Sequence, residues 1–140
     1  MMNIRSIAFA LVALALFGFG TASSMAASPA GRFCGEVISS GDYQDVETML
    51  NVDKDGRITG TYELDEPDGR VEGTVTEKEP GTGTSRTLVW TDKYGTGLLE
   101  LDFSDDYKEF KARWGGSNNG RFDAASHTWN GTRCTSLSLR

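Results

Sequence analysis

Hydrophobic and polar side chains alternate along much of the chain after its first 26 residues. From Ile58 to Leu64, every second residue is apolar or glycine, and Thr59, Thr61 and Glu63 stand between them. Successive side chains of a β-strand point to opposite faces of a sheet, so this pattern predicts strands that bury one face. The 3.6-residue period of an amphipathic helix is not evident after residue 26. We therefore expect an all-β domain.

Clusters of Gly, Asn, Asp and Pro divide this part of the chain into eight predicted strands. Asp55-Gly56, Asp68-Gly69 and Asn119-Gly120 are typical of tight hairpins, because Gly, Asn and Asp tolerate positive φ angles. Adjacent strands should therefore pair antiparallel. The predicted strands are Arg32 to Ile38, Asp45 to Val52, Arg57 to Leu64, Arg70 to Lys78, Arg86 to Thr91, Gly97 to Ser104, Lys108 to Trp114, and His127 to Cys134.

Small residues recur between apolar residues on the predicted inner face. Gly60, Gly73 and Ala112 each lie midway between two large apolar side chains. Glycine weakens a strand, but it permits sharp coiling and leaves room for large neighbours inside a narrow barrel. The pattern favours a single eight-stranded antiparallel up-and-down β-barrel over the alternative, a two-sheet β-sandwich.

The first 26 residues have the features of a cleavable export signal. One positive charge at Arg5 precedes an apolar run from Ile7 to Phe19, and small residues follow up to a predicted cleavage site after Ala26. The run is shorter than the ~20 residues that a membrane-spanning helix needs. We expect a signal peptide at residues 1–26, a barrel domain at 27–140, no membrane anchor, and a periplasmic or secreted location.

The two cysteines lie near the ends of the expected mature chain. Disulfides persist outside the cytosol, and Cys34 and Cys134 fall on the first and last predicted strands, which barrel closure would make neighbours. We therefore predict a Cys34–Cys134 disulfide. Closing so long a loop stabilises a domain by up to ~4.7 kcal/mol on the chain-entropy model.

Charge and motif content exclude several function classes. The formal net charge of −6 disfavours binding to nucleic acids or acidic membrane surfaces, and it suits a basic partner. Asp53, Asp55 and Gly56 match the start of a calcium-binding loop, but Tyr62 occupies the position of its essential Glu. With His127 as the single histidine, we predict no catalytic site, no metal site and no cofactor.

Aromatic residues are the best candidates for a binding site. Tyr62, Trp90 and Trp114 belong to a set, with Trp129 and several phenylalanines, that could line the mouth of a barrel and hold a small apolar or flat ligand. The alternative is that these rings simply fill the barrel core. We predict Tyr62, Trp90 and Trp114 as ligand-binding residues.

The hairpin from Asp55 to Glu63, followed by Leu88-Val89-Trp90, resembles the avidin family of small exported barrels. The resemblance implies a barrel in which Tyr62 and Trp90 face a ligand. It covers about a third of the expected mature chain. Phe33 and Gly35 stand where that family has a Trp and a ligand-binding Asn, and its late Asp has no counterpart. Elsewhere the chain is similar to lipocalin-like barrels and to periplasmic inhibitor proteins.

Two functional hypotheses follow. The first is a non-enzymatic exported barrel that binds a small apolar ligand at an open end. The second is an inhibitor or interaction module that presents a loop, Glu79 to Ser85 or Gly115 to Ser126, to an envelope protein such as lysozyme or a protease. A filled barrel interior favours the second hypothesis, and a hollow interior favours the first.

Overall fold

The computed structural model describes residues 27–135, so the expected signal peptide lies outside the described residues. No helix in this range is long and apolar enough to span a membrane. Eight strands form the body of the fold, with a short hairpin between the seventh and the last. The strands are β1 (Gly31–Ser39), β2 (Asp42–Val52), β3 (Ile58–Glu66), β4 (Gly69–Glu77), β5 (Ser85–Asp92), β6 (Gly95–Phe103), β7 (Glu109–Trp114), β8 (Ser117–Asn118), β9 (Arg121–Phe122) and β10 (His127–Arg133).

The eight long strands close into an antiparallel barrel. Each pairs with its neighbours in chain order from β1 to β7, and β10 completes the ring between β7 and β1. At the closing seam Cys34 is opposite Thr132, and Val37 is opposite Trp129. The prediction of an eight-stranded up-and-down barrel is confirmed, and the β-sandwich alternative is wrong. Closure leaves the barrel without an exposed sheet edge.

The hairpin β8–β9 was not predicted as separate strands. Asn119 and Gly120 have φ angles of 51° and 75°, as the two central residues of a type I′ turn require. Ser117 pairs with Phe122 beyond the end of β7, and the Asp123 N–H donates to the Gly116 carbonyl at 2.9 Å. The turn signal in the sequence therefore belongs to a separate two-stranded hairpin within the connection from β7 to β10.

Two of the inward glycines make space for aromatic rings on neighbouring strands. Gly73 is opposite Tyr62, and a Cβ atom at Gly73 would overlap the Tyr62 ring. Gly131 is opposite Phe110 and would place a Cβ atom 2.7 Å from the Phe110 ring. At Gly73 and Gly131 a large ring and a small residue thus share one level of the narrow interior, whereas a Cβ atom at Gly60 would overlap the Met49 carbonyl.

The end of the barrel where β1 begins and β10 finishes is filled. Phe33, Phe103 and Phe110 pack together there, with the Phe33 and Phe110 ring centroids 5.1 Å apart. The guanidinium of Arg133 lies over the Phe33 ring at 4.2 Å and donates to the Tyr107 carbonyl at 2.9 Å. We call this the sealed end.

A buried ion pair also lies at the sealed end. Arg86 donates from Nε and from a terminal nitrogen to the two carboxylate oxygens of Glu77, each at 2.7 Å. Glu77 also accepts from the backbone N–H groups of Ile58 and Gly81. Burial acts to raise the pKa of Glu77, but the hydrogen bonds from Arg86 and Ile58 outweigh it and hold the pKa below its ordinary value.

The predicted disulfide is present. Cys34 and Cys134 are joined with an S–S distance of 2.05 Å across a sequence separation of 100 residues. The bond links β1 to the residue that follows β10, close to the seam that closes the barrel. A structural disulfide is typical of proteins that fold in an oxidising compartment, outside the cytosol or in the periplasm.

Candidate functional site

A cavity of about 310 Å³ occupies the end of the barrel opposite the sealed end. We call its opening the mouth. It lies where β1, β3, β5 and β7 finish and where β2, β6 and β10 begin. The barrel interior is therefore filled at one end and hollow at the other. The cavity is lined by Val37, Ser39, Ser40, Val46, Tyr62, Leu64, Trp90, Asp92, Tyr94, Gly95, Thr96, Trp114, Gly116, Ser117 and Trp129.

The three residues predicted from the sequence as ligand-binding all line this cavity. Tyr62, Trp90 and Trp114 come from β3, β5 and β7, and Trp129 from β10 joins them. The rings of Trp90 and Trp114 meet edge to face at 5.6 Å, and those of Tyr62 and Trp129 do so at 4.8 Å. These four rings are packed with the core, and they also border the cavity. Their role in ligand binding stays a prediction.

Each indole N–H in the cavity wall already donates to a protein acceptor. Trp90 Nε1 donates to the Gly115 carbonyl at 2.9 Å, and Trp114 Nε1 donates to the Ile38 carbonyl at 3.0 Å. Trp129 Nε1 donates to the Thr48 hydroxyl at 3.2 Å. These bonds fix the ring orientations. With their N–H groups paired, the indoles present apolar, π-rich surfaces to the cavity.

Two polar side chains, one from β3 and one from the end of β5, meet inside the cavity. The Tyr62 hydroxyl donates to Asp92 Oδ2 at 2.6 Å, and the Tyr94 backbone N–H donates to Asp92 Oδ1 at 2.8 Å. Burial, together with the hydrogen bond to the Asp92 carboxylate, raises the pKa of Tyr62 well above its ordinary value. Tyr62 is therefore a fixed hydroxyl donor at physiological pH.

The rim of the mouth is held together by Glu66 at the end of β3. Its carboxylate accepts hydrogen bonds from the Ser39 hydroxyl at 2.8 Å and from the Tyr94 hydroxyl. The bond from Tyr94 is the main cause that lowers the pKa of Glu66. Tyr94 is itself 57% exposed, so an aromatic ring stands at the opening. The contacts tie the ends of β1 and β3 to the β5–β6 turn.

Gly97 allows the chain after β7 to close one side of the cavity. A Cβ atom at Gly97 would overlap the Gly115 carbonyl and lie 2.7 Å from Trp90 Nε1. The close approach lets the Gly115 N–H donate to the Leu98 carbonyl at 3.0 Å. Gly116 and Ser117 then form part of the wall. The segment that carries β8 and β9 is thus anchored to the barrel through Trp90.

Other candidate residues lie elsewhere or have structural roles. Phe33, Phe103 and Phe110 fill the sealed end, so for these three rings the alternative of a core role holds. Asp53 Oδ1 accepts the N–H groups of Asp55 and Arg57, each at 2.9 Å, and so organises the β2–β3 turn. Among residues 27–135 no group of acidic, His or Cys side chains is arranged to hold a metal ion.

Asp92 and Trp129 are two of the cavity residues that the sequence did not identify as site residues. Asp92 shares the inward face of β5 with Leu88 and Trp90. The alternation of inward and outward residues along this strand was therefore the sequence feature that could have identified Asp92. Trp129 alternates with Gly131 on β10 in the same way, and it was named only as a member of the aromatic set. His127 lies at the mouth end of β10, where its ring packs on Trp114 at 4.7 Å.

No protein-family model and no curated protein matches the chain.

Proposed function

We propose that this protein is a non-enzymatic binding protein that takes a small, largely apolar ligand into the mouth of the barrel. The observation that carries the proposal is the cavity of about 310 Å³ walled by Tyr62, Trp90, Trp114 and Trp129. Ligand pockets are mostly apolar clefts with a few fixed polar groups, and they begin at roughly 300 Å³. This cavity has that composition and a size near the lower limit.

The volume sets the scale of the ligand. An apolar cavity of roughly 150 Å³ accommodates one benzene molecule. At about 310 Å³, the cavity suits a ligand of one or two rings, or a single ring with a short chain. A long lipid or a large cofactor exceeds this space. The fixed indole rings favour such a ligand further, because binding does not have to order the wall.

The polar groups inside the cavity support binding rather than catalysis. Tyr62 donates to Asp92, and the raised pKa of Tyr62 suits a permanent donor rather than a group that exchanges protons near neutral pH. His127 packs on the ring of Trp114 at the rim. In this proposal the protein works in the periplasm or after secretion, in keeping with its disulfide.

Titration with a library of small aromatic and aliphatic compounds tests the proposal. Three tryptophans line the cavity, so binding should change the intrinsic fluorescence of the folded protein. Ser117→Phe adds a ring to the cavity wall and should weaken every binding compound at least tenfold. Asn118→Phe is the matched control, since Asn118 is the next residue of β8 and lies outside the lining. If no compound changes the fluorescence, or if both variants behave alike, the proposal fails.

The second candidate, a module that binds a basic protein, rests on a different surface. A groove of about 530 Å³ on the outside of the barrel includes the carboxylates of Glu36, Asp45, Glu47, Glu63 and Asp65. Three of these already form ion pairs, Glu47 with Arg32, and Glu63 and Asp65 with Arg70. Two arginines offset two of these five negative charges and hold three of the carboxylates in ion pairs, so we prefer the cavity. Retention of the protein on immobilised lysozyme that is lost with Glu36→Gln/Asp45→Asn would reverse this preference.

A further inference from the structure

Asp92 brings a negative charge into an otherwise aromatic cavity. It shares the inward face of β5 with Leu88 and Trp90, and it is part of the cavity lining. Each of its carboxylate oxygens accepts one hydrogen bond from the protein, from the Tyr62 hydroxyl and the Tyr94 backbone N–H. An ionised carboxylate offers about four lone-pair sites. Two of them are therefore left for a ligand, and the carboxylate is already held in position.

The charge of Asp92 is not balanced by a basic side chain. Within the part of the chain that the structure describes, the ion pairs involve Glu47, Glu63, Asp65, Glu77 and Asp106, and none involves Asp92. The nearest basic residue along the chain, Lys93, places its ammonium over the Tyr94 ring, 5.0 Å from the ring centroid.

Glu66 places a second carboxylate on the rim of the mouth. It is the last residue of β3, and its hydrogen bond from Tyr94 keeps it ionised. The chain as a whole carries a formal net charge of −6. A cleft of one sign of charge with low-dielectric walls concentrates ions of the opposite sign. The Lys93 ammonium beside Tyr94 offsets one of the two carboxylate charges, so the mouth keeps a negative charge, as the whole chain does, and draws cations.

The aromatic wall suits the same kind of ligand. Aromatic rings attract cations through the negative charge on their faces, and quaternary ammonium groups are recognised by cages of such rings. The indole N–H groups of Trp90, Trp114 and Trp129 all donate to protein acceptors, so they offer little to a ligand that needs hydrogen-bond donors. An alkylated ammonium group needs no donors from the protein. It needs aromatic surface and a nearby negative charge, and the cavity supplies both.

We propose that the ligand is an organic cation, whose ammonium group lies near Asp92 and whose apolar part packs among Tyr62, Trp90, Trp114 and Trp129. This inference rests on the proposed function, because it assigns a ligand class to the same cavity. A cationic ligand distinguishes this cavity from a pocket that selects neutral hydrocarbon rings. Asp92 is then the residue that determines specificity, and the rings supply most of the contact area.

The test compares two probes that share a shape and differ by one charge. Phenyltrimethylammonium ion and tert-butylbenzene are titrated separately into the disulfide-bonded protein, with tryptophan fluorescence and calorimetry as readouts. We expect the cation to bind about tenfold or more tightly than the neutral probe. Equal binding, or preference for tert-butylbenzene, overturns the cation inference and leaves the proposed function intact. Binding of neither probe, together with a silent compound library, removes both.

Three variants locate the charge that is responsible. Asp92→Asn keeps the size and an acceptor for Tyr62 but removes the charge, and it should reduce the preference for the cation to about threefold or less. Asp102→Asn removes one charge from the exposed outer face of β6, where Asp102 accepts from Ser85, and should leave the preference unchanged. Tyr62→Phe keeps the Asp92 charge and should keep the preference. If Asp102→Asn reduces the preference as much as Asp92→Asn, the selectivity reflects overall charge and the assignment to Asp92 is wrong.

Discussion

The ring of Tyr62 lies directly over Gly73 on the neighbouring strand, and its position depends on the missing side chain there. Tyr62 is 3% exposed and its hydroxyl reaches Asp92, so the glycine allows both the packing of the ring and the polar contact inside the cavity. A side chain at position 73 has no free space toward the ring. The contact between Tyr62 and Gly73 therefore affects both the stability of the barrel and the shape of the cavity.

Gly73→Ala is expected to lower the free energy of unfolding by about 1–3 kcal/mol, because the added methyl group overpacks the Tyr62 ring. Urea denaturation of the purified variant measures the change. Thr74→Ala is the control, since Thr74 is the next residue of β4 and is exposed. An effect at Gly73 no larger than that at Thr74 would show that the ring adjusts without cost.

Removal of the disulfide should destabilise the barrel without altering the site. The Cys34→Ser/Cys134→Ser variant loses a cross-link that spans 100 residues and should unfold at a free energy lower by about 2–5 kcal/mol. Wild-type protein reduced with dithiothreitol should show the same free energy of unfolding as this double variant. At a temperature where the variant remains folded, ligand affinity should change less than twofold, because the bond lies at the sealed end. A large loss of affinity would contradict this separation.

Glu77→Gln should be among the most destabilising polar substitutions in the described part of the chain. It leaves the Arg86 guanidinium buried without a negative partner, and breaking such a pair costs about 3–5 kcal/mol. Chemical denaturation at pH 7 measures the loss. The control is Glu63→Gln, which removes an exposed partner of Arg70 and should cost less than about 1 kcal/mol.

The same ion pair predicts how stability changes with pH. The pKa of Glu77 is lower in the folded than in the unfolded protein, so its contribution is fully present above the unfolded value of about 4.3. The contribution is lost as the pH falls through the lower, folded-state pKa. Between pH 6 and pH 3 the stability of the wild type should fall more steeply than that of Glu77→Gln. Parallel curves would mean that Glu77 does not contribute to acid unfolding.

Trp90→Phe tests the anchor between the barrel and the β8–β9 hairpin. The variant keeps an aromatic ring but loses the hydrogen bond to Gly115, so the buried carbonyl loses a donor. We expect a loss of about 1–3 kcal/mol. Amide hydrogen exchange should become faster at Asp123 and Ser126, whose N–H groups donate to Gly116 and Trp114. Unchanged exchange there would show that the hairpin is held by other contacts.

Much of the fold could be predicted from local pattern. The alternation around Tyr62 gave the faces of the strands, and closure of the barrel brought the strands of Cys34 and Cys134 together as expected. The β8–β9 hairpin was missed because two-residue strands have no alternation to detect. Its turn at Asn119 and Gly120 was visible, but the sequence does not say whether a turn joins two barrel strands or belongs to a separate short hairpin.

The site was predicted in part, for a physical reason. Alternation tells which face a residue occupies but not at which height inside the barrel it lies. Tyr62 and Phe110 both face inward, yet one borders the cavity and the other fills the sealed end. Height depends on strand tilt and register, which arise from pairings distant in sequence. Asp92 was missed because an acidic residue at a strand end is usually solvated.

Because the barrel is filled at the sealed end, its cavity opens to solvent at the mouth. If the cavity binds a ligand as proposed, that ligand must enter and leave past Tyr94 and the Gly116–Ser117 wall, because Phe33, Phe110 and the Glu77–Arg86 pair block the far side. Exchange of the contents is therefore governed at the rim.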